Sequence, residues 1–285
     1  MSGQRSRVPD VPRKRPARLL VWETVSAGYR SVFGDLGAFI TRAWLWWVIF
    51  VLAIYGLDLG RGMPSFGLNK TFCSIVITLV WVIGSTIFLV SWNRRVLLGE
   101  PATSLASLRV GPREERYLGI GILFILVIYA SVFAAEEALF WLYGPQFGPE
   151  FLWLLDRLAI PVILLAILAL GARFSLAFPI VALDGPRHPL VAAWRLSRGQ
   201  TLRLMGGFLL TIIPLLVMTR VVRFIEYMID PTMLVPTPEM IVPFMGLTFA
   251  RIVIYFVQMA VIVSFTCQAY ARLTGHSVSQ QSVGS

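Results

Sequence analysis

Six stretches of this chain, approximately 36–57, 72–92, 117–141, 158–183, 204–222 and 241–270, are predominantly apolar over about twenty residues or more. No other feature limits the fold as strongly. In hydrocarbon every backbone N–H and C=O must be bonded within the protein, so segments of this length cross a bilayer as helices. The third, fourth and sixth exceed the minimum and are expected to tilt, kink or project beyond the headgroups. Pro161 and Pro179 in the fourth, and Pro214 in the fifth, are the expected kink points. Composition agrees. Of 285 residues 57% are hydrophobic and only 14% charged, against roughly 25% charged in soluble domains. The expected fold class is an all-α integral membrane protein with six transmembrane helices. Residues 1–18 read as a disordered basic tail, 19–273 as the membrane domain and 274–285 as a short polar tail.

Charge placement gives an orientation. The formal net charge is +10, and apart from Lys14 and Lys70 every cation is arginine. The N-terminal segment through Arg42, the 93–116 and 184–203 loops and Arg272 hold most of the basic residues. The opposite loops hold only Arg61, Lys70, Arg157, Arg220 and Arg223. Cytoplasmic loops carry the excess of Lys and Arg, so both termini are expected in the cytoplasm. The N-terminus "MSGQRSRVPDVPRKRPARLL" lacks the short apolar core and cleavage site of a secretory signal. Nucleic acid is not the expected target of cations punctuated by apolar runs. Anionic phospholipid explains them more simply, at roughly 1 kcal/mol per basic residue near the surface. Trp44, Trp46, Trp47, Trp92, Trp141 and Trp153 fall near span edges and read as anchors at headgroup level.

Each odd-numbered span follows a segment able to form a helix in the interface. In the first, Val21, Val25, Tyr29, Val32, Phe33 and Leu36 recur at helical spacing among Arg18, Glu23 and Arg30. In the second, Pro101 to Arg109 offers Leu105 and Leu108 after a Ser104 cap. In the third, Pro189 opens a helix with Leu190, Val191 and Trp194 that ends near Gly199. The spans that follow begin near 36, 117 and 204. The layout predicts three repeats of interfacial amphipathic helix plus transmembrane hairpin, with simple up-and-down packing as the alternative. Trp194, Arg195, Arg198 and Arg203 in the third unit, with Arg94 and Arg95 in the second loop, are the candidate lipid-headgroup contacts. Their charges can stay at phosphate level while the stems cover acyl chains.

"HPLVAAWRLSRGQTLRLMGGFLL", His188 to Leu210, resembles the segment before a span in bacterial six-span inner-membrane proteins of uncharacterised function. These are similar to the membrane domain attached to some glycerophosphoryl diester phosphodiesterases. "SWNRRVLLGE", Ser91 to Glu100, followed by "REERYLG", Arg113 to Gly119, looks like their second loop. The resemblance implies a helical protein of the bacterial inner membrane and brings no catalytic residues. The phosphodiesterase's soluble catalytic domain has no counterpart here.

No enzyme signature is present. The chain has only His188 and His276, no Gly-rich phosphate loop, no HExxH and no nucleophile elbow. No metal site or cofactor is expected. Cys73 and Cys267 fall near opposite ends of the spans, too far apart for a disulfide. Ionisable residues inside spans are costly, at about 2.5–3.5 kcal/mol near the centre on insertion scales. Arg251, about 15 Å into span six at ~1.5 Å per residue, is therefore the leading intramembrane candidate. Gln258 follows two turns later, and Glu136, Glu137 and Arg157 complete a candidate polar site. Two readings of it are open: glutamate–arginine pairing that fixes helix packing, or a pocket for an anion, proton or headgroup. The expected function is an accessory or scaffold protein contacting anionic lipid or a membrane-protein partner. The alternative is a small-solute or lipid transporter using Arg251 with Glu136 and Glu137; an intramembrane enzyme is least favoured.

Overall fold

The computed structural model describes residues 19–62, 70–101, 111–143, 165–229 and 241–275. Among these residues there is helix and no strand. In chain order the helices are α1 (Val21–Phe33), α2 (Leu36–Gly62), α3 (Lys70–Leu98), α4 (Pro112–Tyr143), α5 (165–174), α6 (Ala177–Ala182), α7 (Pro189–Leu196), α8 (Thr201–Ile229) and α9 (Ile241–Thr274). Five described segments are long and apolar enough to cross a membrane: Leu36–Tyr55, Thr71–Leu98, Leu165–Ala182, Thr201–Ile225 and Met245–Thr274. This is an all-helical architecture suited to a multi-pass membrane protein.

The amphipathic segment before the first span is a separate helix, α1. Its Thr24, Val25, Gly28 and Val32 are buried against α8 and α9. Tyr29 donates its hydroxyl to the Thr211 carbonyl of α8 at 2.9 Å, and Arg272 of α9 pairs with Glu23 at 3.1 Å. Leu36, grouped with this helix on sequence, instead opens α2. The Gly34 N–H closes α1 on the Arg30 carbonyl, and Asp35 starts α2 by accepting the Ala38 N–H at 3.2 Å. The third amphipathic segment forms α7, with Pro189 in its first turn. The second, Pro101–Arg109, lies outside the described residues apart from Pro101.

α9 is the axis of the bundle and packs on α1, α2, α3, α6 and α8. One core joins Phe39, Trp46 and Phe50 of α2 to Phe88 and Trp92 of α3 and Phe256 of α9. Phe88 and Phe256 meet edge to face at 4.8 Å between centroids. A second core joins Val25, Leu176, Ile180, Ala193, Leu204 and Phe265, and so ties α1 and α5–α8 to α9. Within this first core Trp92 and Asn93 have hydrogen-bond partners, whereas the Trp46 and Trp47 indole N–H groups are buried without one among the described residues. Trp92 donates Nε1–H to Ser264 Oγ at 2.8 Å and to the Ala260 carbonyl at 3.1 Å. Asn93 Nδ2 reaches the Tyr117 hydroxyl at 3.2 Å, and its Oδ1 accepts the Cys267 thiol at 3.0 Å.

These contacts correct the anchor reading of two tryptophans. Trp46 and Trp92 are buried between helices and Trp47 is partly buried; of the four whose side chains are described, Trp44 is the exposed one. The side chain of Trp141, and Trp153 altogether, lie outside the described residues. Cys73 and Cys267 are both buried free thiols. The fourth apolar run is broken between α5 and α6 at Ser175–Leu176, shortly before Pro179, where a kink was expected. Pro214 sits within a continuous α8, and Pro161 is outside the described residues. α3 extends six residues beyond the expected end of span two, so Arg94 and Arg95 belong to a helix and not to a loop.

Candidate functional site at the basic end of the bundle

The C-terminal turn of α3 organises one end of the bundle. Gly99, at φ +70, adopts the left-handed conformation that ends helices and strongly favours glycine. Its N–H closes on the Arg95 carbonyl at 2.9 Å, and the chain turns back so that Glu100 lies over the last turn. Arg94 grips the Glu100 carboxylate with two nitrogens, Nε at 2.8 Å and Nη2. Its Nη1 reaches the Ala182 carbonyl at 3.2 Å and so ties α3 to the end of α6. Arg95 pairs with Asp35, the residue that caps α2.

Arg42 completes this cluster from α2. It is only 2% exposed, yet its guanidinium donates to Ser91 Oγ at 3.1 Å, to the Glu100 carbonyl at 2.9 Å and to the Ala38 carbonyl at 3.4 Å. A buried guanidinium is tolerable when its donors are satisfied in this way. The Arg94 bond holds the Glu100 carboxyl below the usual carboxylate range. Burial by itself would raise Asp35, but the Arg95 and Ala38 bonds outweigh it and its pKa is lowered.

Beside this cluster a polar cleft of about 550 Å³ opens among α2, α3, the start of α4 and the α6–α7 turn. Its walls include Arg42, Arg94, Glu100, Arg113, Glu114 and Asp184. Arg113 donates to Asp184 at 2.6 Å across the mouth, and Glu114 accepts the Gly111 N–H at 2.9 Å to cap α4. Cations and acids thus share the cleft lining, and Arg94–Glu100 and Arg113–Asp184 are ion pairs within it. Among the described residues no group of three or more His, Cys, Asp or Glu is gathered as a metal site would need.

The neighbouring elbow is built differently. Ala193, Ser197 and Gln200 face inward and are buried, while Arg195 and Arg198 are exposed. Arg203 is half-buried and donates to Gln200 Oε1 at 3.4 Å. Trp194, 41% exposed, stacks on Phe174 of α5 at 5.5 Å. Arg173 lies over the Trp194 ring at 3.3 Å from its centroid and donates to Ser197 Oγ at 3.2 Å and the Trp194 carbonyl at 3.3 Å. Those acceptors are neutral, and among the described residues no carboxylate pairs with Arg173. From Gly185 to Ile225 the chain has no Asp or Glu.

The sequence candidates therefore separate. Arg94 and Arg95 turn to internal partners, with side chains 20% and 18% exposed. Trp194, Arg195 and Arg198 stay at the surface. Of the intramembrane set, Arg251 is exposed on α9, Gln258 is half-buried, and Glu137 is exposed on α4. The Glu136 side chain and Arg157 lie outside the described residues. Arg251 does not line the polar cleft. Sequence reasoning passed over Arg42, Asp35, Glu100 and Asp184. Asp35 carried a readable signal, a capping residue directly before an apolar run, and Glu100 pairs locally with Arg94; the bonds of Arg42 and Asp184 depend on segments distant in sequence. Compared with family models, curated proteins and solved structures, the chain matches none of them.

Proposed function

We propose that this chain is a non-enzymatic accessory protein of the bacterial inner membrane, with six spans, both termini in the cytoplasm and a basic end that engages anionic phospholipid headgroups. One contrast carries the reading. Arg42, Arg94 and Arg95 are bonded within the protein, whereas Arg195 and Arg198 stand exposed beside Trp194 in an acid-free segment. An exposed Arg–Trp surface at the end of an apolar bundle suits a layer of phosphates above acyl chains. α4 supplies the sixth span in this reading, because Tyr117–Ala135 contains no charged residue. Helix packing favours the threefold layout: α1 lies on α8 and α9, and α7 lies on α6, so each leans on the hairpin before it when the units are taken as a ring. The kinship with phosphodiesterase-linked membrane domains rests on the short stretches that suggested it.

The test is lipid analysis of the full chain purified with its native lipids. Anionic species are expected to be enriched over bulk membrane with the wild type and less so with Arg195→Ala/Arg198→Ala. Equal enrichment in the two proteins overturns the reading. A reporter fused after Ser285 tests topology separately; activity on the outer side sinks the orientation.

A further inference from the structure

Behind the elbow an apolar groove of about 110 Å³ runs between α4 and α5. Phe124 and Val127 form one wall, Ile167 and Leu170 the other, and Phe174 with Leu190 of α7 closes one end. The hydroxyl of Ser131, which also lines it, is turned to the Val127 carbonyl of its own helix at 2.7 Å, so the interior offers an occupant only apolar contact. Along α4 the groove extends from Ile120 to Ser131, about 16 Å at ~1.5 Å per residue. That is close to the depth of one leaflet, half of a hydrocarbon core ~30 Å thick.

The closed end is where the charge lies. Phe174, part of the groove, stacks on Trp194, and Arg173 next to it sits on the other partner of that stack with neutral hydrogen-bond acceptors. Arg195 and Arg198 follow on the same acid-free elbow. A slot of leaflet depth ending at cations whose described acceptors are neutral matches a molecule with an apolar tail and an anionic head. We propose that the α4–α5 groove holds one acyl chain of an anionic glycerophospholipid whose phosphate rests against the Arg173–Trp194 pair. The inference deepens the reading above and rests on it for the membrane setting. It differs in claiming one retained lipid at a defined place, in addition to a general basic belt.

The full chain is reconstituted in nanodiscs with equal amounts of phosphatidylglycerol and phosphatidylcholine, and lipids that remain after delipidation are counted by native mass spectrometry. One retained phosphatidylglycerol per wild-type chain is expected. Leu170→Trp and Val127→Trp fill the slot from opposite walls at partly exposed positions, and each is expected to cut retention at least tenfold. Arg173→Gln is expected to keep a retained lipid but lower the phosphatidylglycerol preference about fivefold, the loss of roughly one charge contact. A wild type that retains no lipid, or one without headgroup preference, overturns the proposal, as does full retention by either tryptophan variant that melts like the wild type. Arg195→Ala/Arg198→Ala separates the two readings. If it leaves overall anionic enrichment unchanged while the single lipid is retained, the broad belt fails and the groove stands.

Discussion

Two arginine groups lie at the same end of this bundle and meet opposite fates. Arg42, Arg94 and Arg95 are drawn inward by Asp35, Glu100 and backbone carbonyls. Arg195 and Arg198 have no acid within their own segment and remain at the surface. Both groups lie near the ends of apolar spans and count equally toward a charge-based orientation. The difference lies in where the acids fall once the helices pack. A basic residue near a span edge is a structural bracket when a carboxylate or a set of inward-facing oxygens reaches it, and a surface group when neither does.

The sharpest way to break this contrast is Arg42→Ala. It removes the donor to Ser91 and the nearer of two donors to the Glu100 carbonyl, leaving Arg95 at 3.3 Å, and opens a hole between α2 and α3, so we expect a loss of about 3 kcal/mol, read as the melting midpoint in detergent. A melting curve equal to wild type would mean that the inward cluster is not a bracket. Next in size is Gly207→Ala on α8. A Cβ there would come within 2.4 Å of the Phe265 ring, and overpacking of this kind costs about 2 kcal/mol. That substitution tests whether the helix following the exposed elbow is packed as firmly as the α2–α3 half.

Smaller effects test the ion pairs. Glu100→Gln removes a partly exposed pair and is expected to cost at most about 1 kcal/mol. Asp35 and Glu100 both have lowered pKa values in the fold. Their contribution is therefore complete above the unfolded values near ~4 and is lost as pH falls through the lower folded values. A wild-type melting temperature that declines below about pH 4, with a shallower decline in Glu100→Gln, is the expected result. Smallest of all is Arg195→Ala/Arg198→Ala, which should shift stability by less than about 0.5 kcal/mol while lowering anionic-lipid enrichment. A large loss of stability there would move the elbow into the same class as the inward cluster.

The sequence made some of this legible and hid the rest for identifiable reasons. Helical periodicity in Val21–Val32 and Pro189 at a helix start located α1 and α7, because amphipathic spacing and capping are local. Span limits were less exact: α3 continues through Arg94 and Arg95, since a hydropathy pattern ends at the first charges whereas a helix ends where its backbone turns, here at Gly99. Trp46 and Trp92 looked like interface anchors from their positions, but facing helices cover them. Arg42 was counted as one more basic residue of the N-terminal segment; its burial depends on Ser91 and Glu100, some fifty residues away.

The sequence by itself determined the helical, lipid-compatible character of the chain, the approximate places of its spans and the asymmetry of its charge. Each follows from backbone hydrogen bonding in an apolar solvent and from side-chain composition, which are properties of local stretches. Only the tertiary structure decided which arginines are bonded inside, where the polar cleft and the apolar groove open, and that Arg173 lies on Trp194. Those outcomes depend on which helix faces become neighbours, and adjacency between distant segments is set by packing of the whole bundle.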